Sequence, residues 1–324
     1  MPPGRAAAPG AGHLTLSIRM QSPSFREPVR HLLGLAMIAT GACHAGEVDV
    51  ASPNAHLRYV AVGWQGDAVH NRSMLGLLSL PVQDRAWLQF GGGRDRQATN
   101  DGTRNVDAGS LGVGYLGDGW LVSLTASHRR AGDRLRQTDW DGVLEGQGER
   151  FGLGLDLHHR DARQDSSAAA SSPLSGTVDV PVRQQVRGSG LGLHAHVQLN
   201  DRLRAYGSLM RYDYRVSTQR MDEAAGGPML LSTLLSSNPS FVSRAELPLR
   251  NSTRLGATYR FDAVSLSAEA VVDRVKDDPG TVRTCLLKAA FDLGERWTLT
   301  PSIGSTRSGQ GKVGFGGLVA NRAW

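Results

Sequence analysis

The chain has 324 residues, a net charge of +6 and two cysteines, Cys43 and Cys285. A disulfide framework and a multi-cysteine metal site are excluded on that count, and no apolar run approaches the ~20 residues of a membrane helix. Charge is spread along the chain rather than gathered into a basic stripe, so nucleic acid is not an expected partner.

Taken in chain order, the first segment has the pattern of an export signal. Arg26 and Arg30 precede the apolar run Leu32-Leu33-Gly34-Leu35-Ala36-Met37-Ile38-Ala39, and small residues follow in Thr40-Gly41-Ala42-Cys43-His44-Ala45. A basic flank, a short apolar stretch and a small-residue end are the three parts of a cleavable signal. Cleavage is expected after Ala45, which divides the chain into 1–45, an N-terminal extension with its signal peptide, and 46–324, the working body. Met20 is a more natural start than Met1. Gly41-Ala42-Cys43 also resembles the end of a lipoprotein signal, with lipidation at Cys43 as the alternative. A buried helix over 30–40 is the plainer reading.

From residue 56 onward the pattern has period two, the mark of strands with one apolar and one polar face. Phe151, Leu153, Leu155 and Leu157 alternate with Gly152, Gly154, Asp156 and His158. Leu191, Leu193, Ala195 and Val197 alternate with Gly192, His194, His196 and Gln198. Leu255, Ala257, Tyr259 and Phe261 stand opposite Arg254, Gly256, Thr258 and Arg260. The polar faces are rich in glycine and charge, and the runs are about 9–12 residues long, as a tilted membrane strand requires. Strands are predicted at 56–66, 72–80, 85–94, 108–116, 119–129, 148–159, 188–199, 202–216, 251–261, 263–275, 281–293, 295–306 and 311–324. An even number is required for both ends to lie on one side of the membrane. The missing strand is placed in 133–146, with 174–186 as the alternative; fourteen strands are expected and twelve is the runner-up.

Tight turns with Asp, Asn or Gly between apolar anchors separate these runs, as in Leu116-Gly117-Asp118-Gly119-Trp120 and Leu199-Asn200-Asp201-Arg202-Leu203. Trp87, Trp120 and Trp297 beside the turns suit a membrane interface, where a ring stays apolar and its N–H stays wet. Longer polar stretches at 94–107, 160–187 and 217–250 are predicted as loops on the opposite side. The last of these carries an apolar run, 226–235, that either folds into the lumen or extends a strand.

Over residues 56–324 the chain resembles bacterial outer-membrane β-barrel proteins of porin-like type, an all-β fold. The last strand ends in an aromatic, Trp324, with Phe315 further back. The resemblance implies that this end is read by the barrel-insertion machinery, that the chain resides among outer-membrane lipids, and that it works without a cofactor, with a monomer favoured.

The candidate site is the polar face. Arg150, Asp156, His158, His194, His196, Arg254, Arg260, Glu269 and Lys288 are expected to face the lumen, where charges of both signs either tune a pore or pair to close it. His194 and His196, two apart on one face, could chelate a transition metal, with two polar lumen residues as the plainer reading. Asp156 and His158 could form part of a hydrolase, but no motif supplies a nucleophile, and no enzyme is expected. The function expected is a channel for small polar solutes. The alternatives are a plugged barrel acting through partners in anchoring, export or assembly, and, third, an outer-membrane hydrolase.

Overall fold

A computed structural model describes residues 58–68, 70–99, 102–172, 176–220, 249–275, 280–294, 296–309 and 311–323. Signal peptide, lipidation at Cys43 and cleavage after Ala45 lie outside these residues, as do the apolar run 226–235 and Trp324. The strands are β1 (Tyr59–Asp67), β2 (Arg72–Gln83), β3 (Ala86–Thr99), β4 (Gly102–Gly117), β5 (Trp120–Ala131), β6 (Leu135–Gln147) and β7 (Phe151–Ser172). They continue with β8 (Gly176–Gln198), β9 (Leu203–Arg220), β10 (Leu249–Arg260), β11 (Val264–Val275), β12 (Thr281–Leu293), β13 (Trp297–Ser308) and β14 (Gly311–Ala323).

Each strand pairs antiparallel with its neighbours in sequence, and β1 closes the barrel on β14, from Tyr59 opposite Ala323 to Asp67 opposite Phe315. The result is a fourteen-stranded closed antiparallel barrel. Closure removes both sheet edges, so every backbone donor and acceptor of the wall can be met inside the ladder.

The missing strand is β6, which fills the stretch 133–146 from Leu135 and runs one residue past it to Gln147. Of the alternative segment, 174–186, the described residues 176–186 are the first half of β8 and not a separate strand. The polar stretches 94–107 and 160–187 are not loops. They are the far ends of two hairpins, β3–β4 and β7–β8, whose ladders run on to Thr99 opposite Gly102 and to Ser172 opposite Gly176. Beyond the membrane both faces of a strand meet water. The alternation of polarity then disappears, while the hydrogen bonds continue.

By the rule that short turns face the periplasm, the end carrying Tyr59 and Ala323 is periplasmic. The turns there are held locally. The Asn200 side-chain oxygen accepts from the backbone N–H groups of Arg202 and Leu203, both at 2.9 Å. Gly119 and Gly294 sit at φ +80° and +75°, which a side chain would strain.

The outward face forms the apolar band. On β13 it reads Trp297, Leu299, Pro301, Ile303 and Ser305, and ends at Arg307. Ten steps at ~3.3 Å, tilted by ~40°, give about 25 Å, the height of a bilayer core. Aromatics mark its periplasmic rim. Trp120 stacks on Tyr115 at 5.3 Å, Tyr259 meets Phe261 at 4.8 Å, and Arg322 lies over Trp297 at 5.4 Å. Trp87 differs from its expected place at the interface. It points inward, where Gly114 opposite leaves room for the indole; a Cβ there would fall 2.0 Å from the ring.

Candidate functional site: the lumen

Inward positions on β6–β8 build one continuous wall. β6 contributes Gln137, Asp139, Asp141, Val143, Glu145 and Gln147, all on one face because a strand repeats every two residues. β7 presents Gly152, Gly154, Asp156, His158 and Arg160, and β8 presents Gly188, Gly190, Gly192, His194 and His196.

The glycines let the large side chains lie flat. His196 is opposite Gly152 and His194 opposite Gly154. A Cβ at either glycine would meet the imidazole at 2.2–2.3 Å. The wall carries charge without bulk reaching toward the barrel axis.

His194 is the hub. Its Nε2 lies 3.0 Å from Glu145 Oε2 and its Nδ1 2.9 Å from Asp156 Oδ1. One ring thus ties β6 and β7 to β8 through two carboxylates. Glu145 also accepts from Gln147 at 3.1 Å, and His196 Nδ1 stands 3.7 Å from its other oxygen. With both nitrogens engaged, His194 has no lone pair for a metal. Among the described residues no cluster of three or more potential ligands has the geometry to hold a metal ion.

His158 does not pair with Asp156. Its Nδ1 lies 2.7 Å from Asp141 Oδ1 across the β6–β7 ladder, and its ring meets Tyr212 edge-on at 5.7 Å. His158 Nε2 is buried and has no hydrogen-bond partner among the described residues. Asp156 instead serves His194. One level further out, Arg160 bonds Asp139 at 2.8 Å, Gln137 donates to Asp139 at 2.6 Å, and the guanidinium lies 6.0 Å from the Tyr214 ring centre.

The facing wall is different. Arg254 pairs with Glu269 at 3.5 Å, and Glu269 also accepts from Tyr206 at 3.0 Å. Around them lie hydroxyls: Thr258 bonds Ser267 at 2.9 Å and Thr284 bonds Thr306 at 2.9 Å. Lys288 projects from β12 with no ion pair among the described residues. Arg260 lies on the inward face of β10, and Arg150 stands exposed in the turn before β7 at the periplasmic mouth. Together they line a cavity of about 960 Å³ that His196 and Glu269 also reach. Inward side chains are buried at both ends: Asp95, Val106, Gln137, Tyr214, Thr306 and Val313 on six different strands toward the extracellular side, and Tyr59, Ala61, Ser79 and Trp87 toward the periplasmic side.

Of the sequence-predicted residues, the structure joins His194 to Asp156, brings His196 beside Glu145, and joins Arg254 to Glu269. Arg260, Lys288 and Arg150 share the cavity. His158 stands in a separate pair. Phe315 points inward and covers Gly304. Glu145, Asp139, Asp141, Arg160, Tyr206 and Tyr212 were not singled out from sequence. The acids of β6 had a usable signal, since Asp139, Asp141 and Glu145 alternate with Trp140, Gly142 and Leu144.

A closed antiparallel barrel with a polar interior and an apolar outer band about 25 Å high is a transmembrane β-barrel of the bacterial outer-membrane type. Solved structures agree on this architecture. The chain superimposes on the CymD monoaromatic hydrocarbon channel with a TM-score of 0.52 at 9% identity, over 82% of this chain and 88% of that one. A FadL homologue from Pseudomonas aeruginosa gives 0.52 at 11% identity, over 83% and 92%. The translocator domain of the autotransporter NalP from Neisseria meningitidis gives 0.50 at 11% identity, over 94% and 100%. At such identities the likeness concerns the fold alone. No family profile matches the sequence, and no curated protein matches it.

Proposed function

We propose that the protein is a porin-like channel for small polar solutes in the bacterial outer membrane. The observation that carries this reading is the cavity of about 960 Å³ inside the barrel, lined by serine and threonine hydroxyls with Arg260 and Lys288 among them. Hydroxyls replace the hydration of a polar solute without binding it tightly. Cations in the lining add a local field that biases which ions enter. Two of the superimposed structures are titled as a channel and a FadL homologue, which agrees with a transport role.

A second reading rests on the buried inward side chains toward the extracellular end, Gln137, Tyr214 and Thr306 among them. A barrel filled at that level would act through partners, in anchoring, export or assembly. Conductance of the purified protein in a planar lipid bilayer separates the two. Stepwise single-channel currents support the channel. Stable insertion without current supports the filled barrel and refutes the channel.

A further inference from the structure

The extracellular rim of the barrel carries an outward row of cations with no carboxylate partner among the described residues. Arg283 on β12, Arg307 on β13 and Lys312 on β14 are direct cross-strand partners in one register line. All three are exposed and face the same way as Leu287, Ile303 and Leu318 of the apolar band. Neighbouring strands are ~4.8 Å apart, so three positive charges stand within about 10 Å. Arg72 on β2 and Arg96 on β3 form a second directly opposed pair at the same end.

Like charges placed directly opposite one another destabilise a sheet. Elsewhere on this rim the chain relieves the conflict itself. Arg94 bonds Asp107 at 2.7 Å, Arg130 and Arg136 share Asp133 at 3.2 and 3.8 Å, and Arg187 meets Asp161 at 2.8 Å. The β12–β14 row has no carboxylate partner among the described residues. It also sits where the apolar band ends, about 25 Å above Trp297, at the level of lipid headgroups in the outer leaflet.

We infer that Arg283, Arg307 and Lys312 form a binding site for the phosphate groups of a glycolipid in the outer leaflet. Two guanidinium groups and an ammonium, presented from a rigid sheet, match an anion with several oxygen acceptors. The apolar residues directly below provide the surface for its acyl chains. The inference is independent of whether the lumen conducts.

The test uses the purified protein in detergent, titrated with bisphosphorylated lipid A and followed by native mass spectrometry. The wild type is expected to retain lipid A, to release it progressively as salt is raised, and to bind dephosphorylated lipid A at least tenfold less. The triple variant Arg283→Gln/Arg307→Gln/Lys312→Gln is expected to lose lipid A binding by a similar factor. Arg94→Gln, which breaks a rim pair already satisfied by Asp107, is expected to change it by less than twofold. Equal retention of lipid A and its dephosphorylated form by the wild type would overturn the site, and that arm needs no variant to fold. Displacement of the lipid by equimolar inorganic phosphate would also overturn it, since the site would then read a free anion.

Discussion

Replacing His194 by leucine removes the ring that bridges two carboxylates while keeping the side-chain volume similar. The ring is 19% exposed, and Glu145 and Asp156 are 14% and 21% exposed, so all three groups are mostly withdrawn from water. A hydrogen bond to a charged group contributes ~1.5–3 kcal/mol. Two such bonds, set at the low end because the lumen is wet, give about 3 kcal/mol, and the two carboxylates left facing each other add to the loss. His194→Leu is therefore expected to lower the unfolding free energy by about 3 kcal/mol, read from urea titrations of the refolded barrel by tryptophan fluorescence. Adding Glu145→Gln and Asp156→Asn to the same protein removes the stranded charges and should recover roughly half of that loss. Double-mutant cycles expose this coupling because the three groups share one network. A loss below ~1 kcal/mol in the single variant would refute the assignment of His194 as hub. So would equal stability of the single and triple variants.

Gly154→Ala places a Cβ 2.3 Å from the His194 ring and 2.7 Å from the Leu144 carbonyl oxygen, a backbone atom that cannot turn aside. A destabilisation of about 2 kcal/mol is expected in the same titration, whereas the exposed Gly309, with open space around it, should tolerate alanine. Lys288→Glu is expected to shift the reversal potential in a salt gradient toward cation preference if the cavity conducts; an unchanged selectivity would remove Lys288 from the path. Asp165 lies above the membrane on β7, and its bond to Arg183, at 3.0 Å, holds the carboxyl below the ordinary carboxylate range. A depressed acid contributes its stability above the unfolded value and loses it as pH falls through the folded one. The β7–β8 hairpin is therefore expected to exchange its amide hydrogens faster only below the ordinary carboxylate range, and Asp165→Asn should abolish that dependence.

Within the membrane the strands were legible because lipid on one side and water on the other impose alternation directly on the sequence. Phe151 to Leu157 and Leu191 to Val197 show it without interruption. β6 was harder to see. Only Trp140 and Leu144 mark its lipid face strongly, with Gly142 between them and Thr138 and Arg136 above, so parity of the strand count located it better than pattern did. The projecting ends of β3–β4 and β7–β8 left no trace, since solvent on both faces removes the contrast that period two depends on.

The site was legible residue by residue but not pair by pair. Asp156 and His158 lie two apart on one strand and share a face, yet a strand step keeps them ~6.6 Å apart. Their partners, His194 and Asp141, come from the neighbouring strands. Such pairings depend on register, which is set by turn lengths and by the closure of the whole barrel. Arg254 and Glu269 were each placed in the lumen from sequence, and only the β10–β11 register brings them together.

The seam between β1 and β14 has a kinetic consequence. It joins the first described strand to the last, so the ladder that closes the barrel forms only after all other strands are in place. Contacts between such distant parts of a chain are slow to form. Until then β1 and β14 both present unpaired edges, ready to pair with any other exposed strand. Those two edges must stay apart from other strands until they meet each other. The nine residue pairs from Tyr59–Ala323 to Asp67–Phe315 are where its assembly is completed.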